Sequence, residues 1–156
     1  MDTNEIKSIL EKNEATSGVF LNVYAADQLP KKRIERDRWF LVANCCPSNY
    51  RGEHWIAVFS ENSQLEFFDS FGLPPDVYEG VVPFLHAQGW PSEECDATYN
   101  DEQIQSIDSD ACGHYCILFG HFRARGVAYA DILRHLNDIH SFSRDTIVKL
   151  IVNLVL

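Results

Sequence analysis

The sequence predicts an α+β fold in which a mostly antiparallel sheet packs against helices. Three β-rich stretches, residues 39–45, 55–60 and 65–69, follow one another closely, and apolar patterns of helical period flank them towards both ends of the chain. With 156 residues and 46% apolar side chains, the chain has the size and composition of one domain, residues 1–156, able to bury a full hydrophobic core.

The chain opens on Asp2 followed by Glu5, the spacing of a capping box, and Ile6, Ile9 and Leu10 then share one helical face. Gly18 closes that signal, and residues 19–24 read as a short strand. The segment AADQLPKKRIERDR reads as an exposed, solvated connection. Of the three β stretches that come next, the last two are joined by the polar Glu61-Asn62-Ser63, a hairpin-length turn. Pro74-Pro75-Asp76 starts a helix directed towards Leu85 and Gln88, which Pro83 bends or divides and Gly89 ends.

Residues 97–105 are weakly strand-like. Ser109 or Asp110 is expected to cap the next helix, in which Cys116, Phe119 and Gly120 recur at helical spacing and Gly126 is the stop. Residues 129–136 form a further helix. From Ser143 to the carboxyl end, Ile147, Leu150, Ile151 and Leu154 make one apolar stripe, assigned to the core.

A formal charge of −10 opposes non-specific attraction to nucleic acid and to anionic lipid. The one basic cluster, Lys31-Lys32-Arg33 with Arg36 and Arg38, is interrupted by Glu35 and Asp37, so DNA is not expected as a partner. No run approaches the roughly 20 apolar residues of a membrane span, and the amino terminus lacks the pattern of a signal peptide. Five cysteines are an odd number in a chain large enough to fold without disulfides. A soluble protein of an intracellular, reducing compartment (nucleus, cytoplasm or virion) is the resulting expectation.

Cys112 is the most informative position. A thiol in the first turn of a helix faces unpaired amide hydrogens and the positive end of the macrodipole, which favour thiolate. Gly113 after it leaves room for a substrate backbone, and the Cys112 amide is a candidate oxyanion donor. His54 stands at the mouth of one strand and Asp69 at the end of the next, so antiparallel pairing returns both to one sheet edge. A carboxylate on one imidazole nitrogen leaves the other to take the thiol proton. Gln105, seven residues before Cys112, is close enough in sequence to donate to the oxyanion, and on chemistry alone Gln103 is its equal.

Taken singly, these residues also fit a buried structural cysteine, a surface histidine and an Asx-turn aspartate. A zinc-stabilised interaction module is a competing reading, since Cys112 and Cys116 lie one helical turn apart and His114, His121, Cys45 and Cys46 are further possible ligands. That set lacks the repeated spacing of structural zinc sites. A peptide-binding domain without activity is the other competitor.

Together the motifs GEHWIAVF, EFFDSFG and IQSIDSDACGHYC, with VFLNVYAADQLP and WFLVANCC upstream, resemble the adenain-type cysteine proteases of adenoviruses and related virus-like transposons over residues 18–122. The resemblance implies a papain-like fold in the permuted adenain arrangement. It implies a metal-free cysteine endopeptidase acting on protein or peptide substrates at small glycine-containing sites in viral or transposon precursors; an isopeptidase for ubiquitin-like modifiers is the alternative. It assigns Cys112 as nucleophile, His54 as base, Asp69 as its acidic partner, Gln105 as oxyanion donor and Trp55 as the ring shielding the imidazole. The Gln105-to-Cys112 step favours the adenain branch over the SUMO-specific proteases, whereas FDS around Asp69 looks like the latter. Adenoviral members are activated by a viral peptide joined by a disulfide to a cysteine ahead of the nucleophile helix, where this chain has Cys95. The chain is shorter than those members and acidic where they are basic, which sets DNA aside as a cofactor.

Overall fold

The structure, a computed structural model, describes residues 1–91 and 97–156; Cys95, the cysteine connected above with an activating peptide, lies outside the described residues. Five strands form one sheet in the order β1-β2-β3-β4-β5: Phe20–Ala25, Arg38–Asn44, Trp55–Glu61, Gln64–Phe68 and Ala97–Tyr99. The pairs β2·β3 and β3·β4 are antiparallel, as the three β-rich stretches predict, while β1 and β5 join the two edges in parallel. Glu61 pairs with Gln64, so the hairpin loop is the two residues Asn62 and Ser63, tighter than the three-residue turn expected. Both carry positive φ, 52° and 64°, the geometry that matches the strand twist.

Alternation along β2 and β3 builds two cores. Phe40, Val42, Ala57 and Phe59 point to the face covered by helices α1 (Thr3–Lys12), α3 (Cys112–Ala124), α4 (Tyr129–Asp138) and α5 (Ser141–Val155). Trp39, Leu41, Ala43, Ile56 and Val58 point to the other, where Phe84 and Leu85 of α2 (Val82–Ala87) close a smaller core. The result is an α+β fold with a sheet between helices. No helix among the described residues is long and apolar enough to cross a membrane.

The Asp2–Glu5 capping box is formed in both directions. Helix α1 ends before the expected Gly18, at Asn13, whose side chain accepts the Ala15 amide and turns the chain. Pro83 divides the 75–88 stretch: a 3₁₀ turn at Pro75–Val77 precedes it, and α2 carries the proline in its first turn. Of residues 97–105 only Ala97–Tyr99 pair as strand.

The stripe expected on α5 is displaced. Leu150 and Leu154 are 52% and 78% exposed, whereas Val148 and Val152 are buried. Apolar residues surround this helix, so its periodicity could not select the face that packs.

Helix α3 is buried nearly all round, and Gly120 lets it approach the sheet. A Cβ at Gly120 would lie 2.3 Å from two atoms of the Phe40 ring, which is itself fully buried between Phe20 and Phe59. Gly120→Ala should therefore destabilise the fold by about 1–3 kcal/mol, more than the roughly 1 kcal/mol that alanine gains in helix propensity. Urea unfolding reads this as a lower midpoint at constant slope. A variant as stable as the parent would mean that Phe40 moves aside at little cost.

Candidate active site

Strand β3 starts at Trp55, and one further backbone bond, from the Cys45 amide to the His54 carbonyl, holds His54 at the strand's mouth. Strand β4 ends at Phe68, so Asp69 falls at the same sheet edge. The predicted meeting occurs: His54 Nε2 lies 2.6 Å from Asp69 Oδ1, and the carboxylate is fully buried.

Asp69 is held by more than its histidine. Oδ1 also accepts the Phe71 amide at 2.9 Å, while Oδ2 accepts the Leu73 amide at 3.0 Å and the Tyr78 hydroxyl at 2.7 Å. The Phe71 bond is an Asx-turn, so the plain turn reading and the catalytic reading of Asp69 describe one side chain. Burial disfavours its charge, but the His54 bond and these donors outweigh that and lower its pKa.

His54 is buried with Phe71 and Tyr78 against its ring, at centroid distances of 4.7 and 6.2 Å. Those rings lie along the imidazole. The Trp55 indole donates to the Met1 carbonyl at 3.4 Å. His54 Nδ1 is buried and has no hydrogen-bond partner among the described residues; Cys112 is the acidic group placed to complete it. Burial opposes a charged ring, yet the Asp69 bond and then Cys112 raise the His54 pKa to about 9.

Cys112 is the first residue of α3 and is buried. Neither expected cap is made: Ser109 Oγ accepts the Ala111 amide, Asp110 pairs with Lys149 of α5, and the N-cap position is Ala111. With no side chain capping the helix, the Gly113 amide is left to face the sulfur. Burial raises the Cys112 pKa, but His54 and the amides of Trp55 and Gly113 bring it below the ordinary thiol value. Burial pushes Cys45 and Cys116 up instead. Both shifts favour the thiolate–imidazolium form of the pair.

Gly113 has a packing role. It is buried, and a Cβ there would meet Ile6 at 3.1 Å, Met1 Sδ at 3.3 Å and Trp55 at 3.4 Å. The missing side chain makes room for the start of α1.

Gln105 is buried and Gln103 exposed, which separates two residues that were equal on chemistry. Gln105 Oε1 accepts from the Ser70 hydroxyl at 2.7 Å, and Nε2 donates to the Ser109 carbonyl at 2.6 Å, three residues before Cys112. One amide hydrogen remains for another acceptor. Gln103 Nε2 donates to the Gln105 carbonyl at 2.8 Å.

Sequence reasoning missed Tyr78, Ser70 and Asn100. Asn100 is buried; its Oδ1 accepts the Asp69 amide at 3.0 Å, and its Nδ2 donates to the Asp69 carbonyl at 2.5 Å. All three act from irregular segments where no period marks a facing residue. His114 is buried with an unpartnered Nδ1 and a pKa lowered by burial, in keeping with a packing role. Among the described residues no three His, Cys, Asp or Glu side chains are arranged to hold a metal ion, so the zinc-stabilised reading finds no ligand set there.

No protein-family profile matches the chain, and no curated protein matches it in sequence. Solved structures do. The central domain of the Legionella pneumophila protein Lpg1148 superposes with a TM-score of 0.55 at 16% identity, over 98% of this chain and 94% of that one. The SUMO protease Ulp1 gives 0.50 at 15% identity, over 98% of this chain and 77% of its own. An ASFV protease gives 0.49 at 19% identity, over 76% of this chain, and the match spans 44% of that protein's length. Strand order, the helix bearing Cys112 and the superposition on Ulp1 together make this a papain-like cysteine-protease fold.

Proposed function

We propose that the chain is a cysteine endopeptidase of the adenain type, cleaving small glycine-containing sites in viral or transposon precursor proteins. The observation that carries the reading is the Asp69–His54 bond of 2.6 Å, which leaves Nδ1 open beside a thiol of lowered pKa at the start of α3. The Cys112 thiolate adds to the scissile carbonyl, and the resulting oxyanion takes hydrogen bonds from the Cys112 amide and the remaining Gln105 Nε2 hydrogen. Nδ1–H then protonates the leaving amine as the C–N bond breaks. In the second half His54, now neutral, takes a proton from water, which cleaves the thioester and frees the thiolate. Asp69 keeps the ring oriented throughout and stays ionised. A reducing compartment suits a free thiolate nucleophile.

The test is turnover on a library of glycine-containing peptides. Wild-type protein should cleave members of it, and Gln105→Ala should lose on the order of 10²-fold in kcat. Loss with Gln103→Ala instead would move the oxyanion donor two residues upstream. An isopeptidase acting on ubiquitin-like modifiers is favoured by the superposition on a SUMO protease over 98% of this chain. Cleavage confined to ubiquitin-like proteins carrying a carboxyl-terminal extension, with the free peptides untouched, would select that reading.

A further inference from the structure

Beside the catalytic centre lies a cavity of about 620 Å³, a size suited to a peptide segment. The start of α1, the end of β1 and the 45–54 connection line it, together with Trp55, whose backbone amide faces the Cys112 sulfur. Asn44, the last residue of β2, lines it opposite Trp55 in the ladder.

Asn44 is 5% exposed, and its Oδ1 accepts the Cys46 amide at 2.9 Å. Its Nδ2 makes no hydrogen bond with the described residues and is not sealed from solvent. Gly52 keeps the amide bare: a Cβ there would lie 2.4 Å from Nδ2. The two carboxylates on the wall, Asp2 and Glu5, each have an oxygen engaged by the capping box, and Arg51 stands in the same lining. Mixed charge of this sort selects no single side-chain charge. A main-chain carbonyl, which every peptide offers, matches a lone N–H donor.

We propose that this cavity holds a main-chain segment of the substrate flanking the scissile bond, with Asn44 Nδ2 donating to one of its carbonyl oxygens. The inference rests on the peptidase reading for the identity of the ligand, and binding is measured apart from catalysis so that the two fail separately. The probe is a library of glycine-containing decapeptides, and the parent protein is Cys112→Ala, which binds without cleaving. Peptides captured by the parent should bind about tenfold more weakly when Asn44→Asp is added, because aspartate keeps the acceptor for the Cys46 amide and loses the donor. Gly52→Ala, which displaces the same amide from the other side, should weaken binding to a similar extent.

If the residue were merely structural, Asn44→Ala would weaken binding while Asn44→Asp matched the parent. That result overturns the proposal, as does a parent that captures no peptide. Capture by the parent that depends on Asn44, together with no cleavage by the wild-type protein, leaves the cavity assignment standing and removes the peptidase reading.

Discussion

Cys112→Ser should reduce peptide turnover by on the order of 10⁴-fold or more, the scale of losing a nucleophile, while the protein still folds. The physical reason lies in the surroundings of the sulfur. Backbone amides of Trp55 and Gly113 and the imidazolium of His54 favour the thiolate form of Cys112. A serine hydroxyl is far less acidic than a thiol, so the same surroundings leave it protonated. Replacement of sulfur by oxygen changes little volume, and the fold should be retained. Iodoacetamide near neutral pH, read by peptide mass mapping, should modify Cys112 before Cys45 and Cys116, whose thiols burial holds protonated. Modification of another cysteine first, with Cys112 spared, would remove it from the nucleophile role.

Asp69→Asn should cost a comparable amount, on the order of 10⁴-fold in kcat, the loss seen when a triad acid is neutralised. Four donors converge on the carboxylate: His54, the Phe71 and Leu73 amides, and the Tyr78 hydroxyl. An asparagine amide has one acceptor end and must set its own hydrogens against some of these donors. His54 then loses the charge that raises its pKa to about 9, and burial, which acts in the opposite direction, prevails. In the wild-type protein the imidazolium needed to protonate the leaving amine is present below about pH 9 and is lost as pH rises through that value. The alkaline limb of kcat should therefore move to lower pH in Asp69→Asn. An unchanged alkaline limb would mean that Asp69 is a turn residue and nothing more.

What could be read in the sequence divides along a physical line. His54 and Asp69 were legible together because hairpin pairing is a rigid relation: once the two strands and their short loop are recognised, their ends must meet. Cys112 was legible because the start of a helix carries a definite electrostatic character whichever residue caps it. The cap itself was misread, since Ser109 and Asp110 have the right chemistry but are drawn off by Ala111 and Lys149, one a local turn and the other a contact with a helix far along the chain. Side chains that reach across loops, such as Tyr78 to Asp69 or Asn100 to the Asp69 backbone, leave no period to detect. The same limit explains α5, where apolar residues on every side gave the helix but not its buried face.

The bond from Ser70 to Gln105 ties the residue after the proposed triad acid to the proposed oxyanion donor. The Gln105 backbone amide also donates to the Ser70 carbonyl at 2.9 Å, so the two loops are joined by side chain and main chain alike. Ordering the loop that carries Asp69 and ordering the loop that carries Gln105 are thus coupled. A change at Ser70 would be felt in both, and its effect would not add to that of a change at Gln105. For anyone grafting this chemistry onto another scaffold, the smallest transferable unit is the pair of crossed loops, 69–73 and 104–109, rather than the side chains they present.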